Sequence, residues 1–100
     1  MIYFTQLFFV KEGKEEIFHE FENSVLPLLA RHGGRLLYRA RPAAKATLHS
    51  ELGVPYEIHL ITFPKEANFQ AYANDSDRQQ YLSLKNDSVQ KVLLIRGTVE

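Results

Sequence analysis

A glutamate and a histidine at alternating positions are the residues of this sequence whose spacing best suits acid–base chemistry. Glu57 and His59 lie in segment 56–63, which is rich in β-branched and aromatic residues. Side chains two positions apart on a strand point to the same face. A carboxylate beside an imidazole can orient the ring so that the ring acts as a general base. The spacing therefore predicts Glu57 and His59 as catalytic residues.

Three further side chains could contact a substrate beside this pair. Arg39 lies on a neighbouring predicted strand and could bind an anionic oxygen. Tyr38 and Tyr56 could each place a phenol against an aromatic compound. We therefore predict Arg39, Tyr38 and Tyr56 as substrate-binding residues. Tyrosines at such spacing are also typical of a core with the hydroxyl groups at its rim, and that alternative stays open.

The same charged residues also fit a purely structural interpretation. Glu57 could form ion pairs with Arg39 or Arg41, with His59 hydrogen-bonded at a subunit interface. The strand period shows that Glu57 and His59 share a face, but it does not show whether that face meets helices or a second subunit. Both interpretations fit the sequence.

No metal, cofactor or phosphate site is predicted. His19 follows Glu15 and Glu16 by about one helical turn, and His49 lies in a loop, but no further ligand stands at a suitable spacing. The chain has no cysteine, which excludes thiolate zinc sites, disulfides and a cysteine nucleophile. Glycines 33 and 34 follow a helix rather than precede one, unlike a phosphate-binding loop.

Length and charge limit the class of protein. One hundred residues, 45% of them hydrophobic, fit a single domain spanning 1–100. Twelve basic and twelve acidic side chains balance, so the net field does not favour nucleic acid or an anionic membrane surface as a partner. No apolar run reaches membrane-spanning length, and segment 1–16 lacks the basic start of a signal peptide, which makes a cytoplasmic location the expectation.

The hydrophobic periodicity predicts an ordered series of strands and helices. Pro27 either kinks or divides the first helix, and a Ser76 to Gln79 capping box begins the last one. The predicted strands are 2–10, 35–41, 56–63 and 90–99, and the predicted helices are 15–32, 65–73 and 76–84.

This order is a repeated split βαβ unit, which predicts an α+β, ferredoxin-like fold with a four-stranded antiparallel sheet. The first and third strands are expected at the centre, and the arginine-rich strand 35–41 is expected at an edge. The helices would cover one face of the sheet, yet the strands carry apolar side chains on both faces. A homodimer with sheet facing sheet would cover the second face.

Two segments carry a family resemblance. LPLLARHGGRLLYR (26–39) has a double glycine after the first helix, and PYEIHLITFPKEANFQAYANDSDRQ (55–79) has Phe-Pro at the end of the third strand. In these features and in element order the chain resembles a group of small bacterial proteins of the dimeric α+β barrel superfamily, whose relatives include the antibiotic-biosynthesis-type monooxygenases.

The resemblance implies a homodimer with a pocket between sheet and helices that takes small aromatic or polyketide-like molecules, or haem. The His, Asn and Trp set of haem-degrading members cannot be mapped, because the chain has no tryptophan. Two functions follow: a cofactor-independent monooxygenase- or isomerase-like enzyme acting on a small aromatic or unsaturated compound, with His59 as base, or a non-catalytic small-molecule-binding or homodimeric assembly module.

Overall fold

Four strands and four α-helices make up the computed structural model, which describes residues 1–98. Single turns of 3₁₀ helix at Leu26–Leu28, Ala30–His32 and Ala44–Ala46 join some of these elements. The elements in chain order are β1 Ile2–Val10, α1 Glu15–Val25, β2 Arg35–Ala40, β3 Glu57–Phe63, α2 Glu66–Ala73, α3 Ser76–Gln79, α4 Leu82–Ser88 and β4 Val89–Gly97.

The strands form one antiparallel sheet in the order β2-β3-β1-β4. The predicted central positions of the first and third strands, and the edge position of the arginine-rich strand, are confirmed. In the register of β1 and β3, Gln6 lies opposite His59 and Phe8 lies opposite Glu57. Opposite residues share a face, so these four side chains lie on the same side of the sheet.

That side is covered by the helices, and its core has two apolar clusters. Residues such as Phe4, Ile61 and Tyr72 form one cluster, and residues such as Phe8 and Phe18 form the other. Along β1, Gln6 stands between Phe4 and Phe8, and along β3, His59 stands next to Ile61. A polar strip therefore separates the two clusters.

The opposite side of the sheet, here called the open face, has no helix over it. Tyr38, Leu93 and Ile95 are 58%, 40% and 49% exposed on strands β2 and β4. Leu60 lies between them on β3, because it pairs with Tyr38 on one side and with Thr5 on the other, and Thr5 in turn pairs with Ile95. The open face is therefore an apolar surface that crosses the whole sheet.

An irregularity in β2 changes which of its residues face the helices. The register with β3 shifts between Leu36 and Tyr38, so that Leu36 lies opposite Ile61 and Tyr38 lies opposite Leu60. The period-2 alternation of a regular strand predicts that Leu36 and Tyr38 share a face, and the structure instead places them on opposite faces. A bulge inserts one unpaired residue and so reverses the alternation beyond it.

Pro27 divides the first helical segment. Helix α1 ends at Val25, and two short 3₁₀ turns follow it as far as His32. Proline cannot donate the backbone hydrogen bond that a continuous helix would need there. Gly33 then adopts a φ of 75°, a left-handed conformation that glycine adopts without steric cost.

Gly34 is expected to tolerate no side chain. A Cβ atom there would stand 2.6 Å from Cε1 of Phe63 and 3.0 Å from the carbonyl oxygen of Leu29. Because Phe63 is completely buried, Gly34→Ala should lower the free energy of unfolding by about 1 to 3 kcal/mol, the usual cost of overpacking. Urea unfolding measures this loss, with Gly97→Ala as the control, since a Cβ at Gly97 meets nothing within 4 Å. Equal stability of the two variants would contradict the packing described.

The last helical region begins and ends differently from the prediction. The side chain of Asp75, rather than Ser76, caps helix α3 by accepting from the backbone N–H of Asp77. The helical region also continues as α4 to Ser88 instead of ending near residue 84. Strand β4 begins at Val89, and the predicted strand end at residue 99 lies outside the described residues.

Asp75 also joins this cap to the end of the first helical segment. His32 Nε2 lies 2.6 Å from Asp75 Oδ2, and Arg31 Nη1 donates to the same oxygen at 3.1 Å. The hydrogen bond with His32, followed by those from the Asp77 N–H and Arg31, holds the pKa of Asp75 at about 2, below its ordinary 3.8.

A depressed carboxyl pKa makes a contribution to stability that is present above pH 4 and is lost as the pH falls from 4 towards 2. Asp75→Asn should therefore lower the melting temperature clearly at pH 6, and the difference from the unsubstituted protein should shrink below pH 3. Thermal unfolding followed by circular dichroism at several pH values measures this. Asp87→Asn is the control, because Asp87 has only an exposed contact with Lys14 at 3.9 Å. A difference independent of pH would refute the assignment.

Candidate functional site

Three buried ionisable side chains meet between the sheet and helix α1. His59 and Glu57 project from β3, and Glu22 projects from α1; each is at most 2% exposed. His59 Nε2 lies 2.9 Å from Glu22 Oε2 and also contacts Glu57 Oε2. The ring of His59 packs on Phe8 with the centroids 4.9 Å apart. We call Glu22, Glu57 and His59 the acid–base cluster.

Two arginines neutralise the carboxylates of this cluster. Arg39 donates from Nη2 to Glu22 Oε1 at 3.0 Å and from Nε to Glu57 Oε2 at 3.2 Å. Arg41 donates from Nε to Glu57 Oε1 at 2.6 Å. Buried carboxylates need such partners, because an unpaired charge in a protein interior is costly. The two arginines therefore allow both glutamates to be buried.

The cluster has more acceptors than one imidazole nitrogen can satisfy. An imidazole Nε2 carries at most one hydrogen, and here it faces an oxygen of Glu22 and an oxygen of Glu57. It can therefore donate to only one of the two carboxylates at a time. A proton can pass among these three groups with only small movements, which is the property that an acid–base site requires.

A narrow cleft opens beside His59 on the helix side of the sheet. The cleft is open to solvent at its mouth, and its free space is small, about 30 Å³. One water needs about 10 to 15 Å³, so the cleft holds a group of two or three atoms. Gln6, Glu22 and His59 contribute polar atoms, and Phe8, Phe21, Val25, Leu26 and Tyr72 are among its other lining residues.

Two cationic side chains complete the lining of the cleft. Arg78 comes from α3 and Lys85 comes from α4. The guanidinium of Arg78 lies 4.9 Å from the centre of the Tyr72 ring, and its buried Nε has no hydrogen-bond partner. Burial, and secondarily the charge of Arg78, lower the pKa of Lys85. Burial raises the pKa of Tyr72, against a hydrogen bond with Arg78 that lowers it.

The structure brings together some of the sequence-predicted site residues and separates others. Glu57, His59 and Arg39 meet in or beside the acid–base cluster, although Arg39 and Glu57 do not line the cleft beside His59. Tyr38 lies on the open face. Tyr56 does not line the cleft, and its hydroxyl lies 2.6 Å from Nε2 of His19. The substrate-binding roles of Arg39, Tyr38 and Tyr56 stay predictions that the lining of the cleft does not support.

Glu22, Arg78 and Lys85 are functional candidates that the sequence analysis missed. Glu22 follows Phe18 by four residues and precedes Val25 by three, so it belongs to the buried stripe of α1. A glutamate within such a stripe is a signal that could have identified it. Arg78 and Lys85 lie on two short helices, and their sequence positions carry no comparable signal.

The acid–base cluster also has the donor types of a metal site. One ligand atom from each of Glu22, Glu57 and His59 lies within 4.8 Å of the others, and carboxylate and imidazole groups suit several divalent cations. Arg39 and Arg41 already neutralise both carboxylates, so a divalent ion would place excess positive charge in a buried site. The absence of a bound metal therefore stays our prediction.

Solved structures share the architecture of this chain at low sequence identity. A protein of unknown function from Rhodopseudomonas palustris matches with a TM-score of 0.85 and 15% identity, over 99% of this chain and 82% of that one. A dimeric ferredoxin-like protein of unknown function from Jannaschia sp. CCS1 matches with a TM-score of 0.72 and 19% identity, over 98% of each chain. The fold is ferredoxin-like.

A dabb family protein with a ferredoxin-like fold from Mesorhizobium loti also matches, with a TM-score of 0.68 and 16% identity, over 99% of this chain and 96% of that one. No family model matches the sequence, and no curated protein is significantly similar to it. These identities support the fold alone. Within the described residues, no helix has the length and apolar character needed to cross a bilayer.

Proposed function

We propose that this protein is a homodimeric enzyme of the isomerase type, which moves a proton within a small unsaturated carbonyl compound without a cofactor. The observation that carries the proposal is the buried contact of His59 with Glu22 and Glu57 at the wall of a cleft. Such a contact supplies both a proton acceptor and a proton donor beside the space where a ligand would sit.

Glu22 and His59 are the proposed catalytic residues, because both line the cleft. The pair would take a proton from the carbon next to a carbonyl group, leaving an enolate, and return a proton at another atom of the same compound. No oxidant or reductant is consumed. Glu57 contacts His59 but does not line the cleft, and Arg39 and Arg41 hold its carboxylate. It is therefore proposed as a positioning residue.

We rank isomerisation above monooxygenation as the reaction catalysed. The polar groups at the cleft are carboxylate, imidazole, amide, phenol and cationic side chains, which are suited to proton transfer and to binding charged ligands. The relation to monooxygenases suggested by the sequence resemblance is therefore given the lower rank.

Dimerisation through the open face is part of the proposal. The open face is apolar and partly exposed, and a contiguous apolar surface of this kind marks a contact site. Two similar structures, from Jannaschia sp. CCS1 and Bacteroides fragilis, are described as dimeric. Because the cleft lies on the helix side, a second copy on the open face would leave the cleft accessible.

Proton exchange with solvent tests the proposed chemistry. Small keto acids and neutral ketones are incubated with the protein in D₂O, and NMR follows the loss of the proton signal next to the carbonyl group. His59→Gln should slow the exchange by about 100-fold or more, the usual contribution of a general acid–base group. His19→Gln is the matched control, because His19 does not line the cleft, and it should keep the full rate.

Two results would overturn the proposed chemistry. Retention of exchange by folded His59→Gln protein would exclude the acid–base role, and a lack of exchange with every compound would favour the second candidate function. That candidate is a non-catalytic small-molecule-binding module. The ion pairs of Glu22 and Glu57 with Arg39 and Arg41 favour it, because carboxylates held by two arginines are less available to accept a proton.

A further inference from the structure

The cations in the cleft are the feature that the proposed proton transfer does not use. Among the described residues, no carboxylate lies within 4.0 Å of the charged nitrogens of Arg78 or Lys85, in contrast to the paired Arg31, Arg39, Arg41 and Arg96. Arg78 donates from Nη1 to the carbonyl oxygen of Ala73 at 3.4 Å, and its other side-chain partner is the neutral hydroxyl of Tyr72. Arg78 and Lys85 are therefore partly buried cations without a counter-ion.

An uncompensated pair of cations is costly in a partly buried site. Each charge loses solvation, and the two repel each other. The buried Nε of Arg78 adds an unsatisfied donor, which costs further free energy. The carboxylate of Glu22, which also lines the cleft, already contacts His59 and Arg39 and so does not neutralise the cations. Within residues 1–98 the two cations have no anionic partner, and an anion from outside the chain would supply one.

We infer that the cleft binds a small monocarboxylate, whose carboxylate group lies against Arg78 and Lys85. A guanidinium presents several N–H donors that match a carboxylate in two-point contact. A carboxylate group has three heavy atoms, which suits the cleft's free space of about 30 Å³. The rest of the ligand would extend out of the cleft through its open mouth.

The positions of the charges also limit the ligand to a single negative group. Glu22 and His59 line the same cleft as the two cations, and a second anionic group beside the Glu22 carboxylate would be repelled. The ligand should therefore be anionic at one end and neutral at the other. The identity of the neutral end, a carbonyl group with an adjacent C–H, rests on the proposed function. The binding of the carboxylate group does not depend on that function.

Binding of benzoate compared with benzamide tests the inference. The two probes have nearly the same shape, and only benzoate is charged. NMR titration of the full chain should show that benzoate binds at least tenfold more tightly than benzamide. Arg78→Gln and Lys85→Gln should each weaken benzoate binding at least tenfold. Arg35→Gln, which removes an exposed arginine outside the cleft, should leave it unchanged.

The same titration separates failure of this inference from failure of the proposed chemistry. Benzoate should bind to His59→Gln protein, which lacks the proposed base. In the proton-exchange experiment, the keto acids should react and the neutral ketones should not. Equal binding of benzoate and benzamide, no binding of benzoate at millimolar concentration, or full benzoate affinity in Arg78→Gln protein would overturn the inference. Benzoate binding without any proton exchange would uphold the carboxylate site and reject the chemistry.

Discussion

Replacing Glu57 with alanine is expected to lower the free energy of unfolding by about 3 kcal/mol, the lower end of the cost of breaking a buried ion pair. Glu57 is completely buried and accepts from Arg39 and Arg41 while contacting His59. Its removal leaves Arg39, Arg41 and His59 without the carboxylate that all three contact. The side chains of Arg39 and Arg41 are 34% and 45% exposed, so water can partly replace the lost carboxylate.

Urea unfolding of matched variants measures this effect. Glu20→Ala is the control, because Glu20 is an exposed glutamate two residues before Glu22 in helix α1. Its loss should change the free energy of unfolding by less than about 0.5 kcal/mol. Arg41→Ala should also cost less in the Glu57→Ala background than alone, because the two residues interact. A Glu57→Ala protein as stable as the Glu20→Ala protein would contradict the described cluster.

Replacing Ile95 with glutamate is expected to convert the proposed dimer into a monomer. Ile95 lies on the open face and is 49% exposed in the single chain. In a dimer with sheet facing sheet, the substitution would bury a carboxylate on each copy without a partner. The dissociation constant should rise about 100-fold or more, which corresponds to roughly 3 kcal/mol.

Sedimentation velocity over a range of protein concentrations measures the change. Leu94→Glu is the matched control, because Leu94 is 45% exposed and belongs to the same strand, but it projects to the helix side. The control should remain a dimer. If Leu94→Glu protein dissociated and Ile95→Glu protein remained a dimer, the subunit contact would lie on the helix side of the sheet, which would contradict the proposed dimer.

The order of the elements explains why the sheet order could be predicted, and strand alternation explains why the shared face of Glu57 and His59 could be. The period-2 pattern of 56–63 assigns these residues to one row and Ile58 and Leu60 to the other. It could not show which row meets the helices, because both rows contain large apolar residues. The structure places Glu57 and His59 against α1 of the same chain, so their ion pairs do not lie on the open face.

Other parts of the site depend on contacts that sequence patterns do not encode. Glu22 is the exception, because its place four residues after Phe18 and three before Val25 puts it in the buried stripe of α1. The break between α3 and α4 brings Arg78 and Lys85 to the same cleft, and no periodicity predicts such a break.

The two sides of the sheet have different roles in this account: the helix side binds a small carboxylate and the open face binds a second copy. Amide shifts of the ¹⁵N-labelled dimer, recorded during a titration with benzoate, test both roles at once. The largest changes are predicted at Gln6, His59, Arg78 and Lys85, with Ile95 unchanged. Changes confined to Ile95 and its neighbours on the open face, with the cleft residues unaffected, would contradict the account.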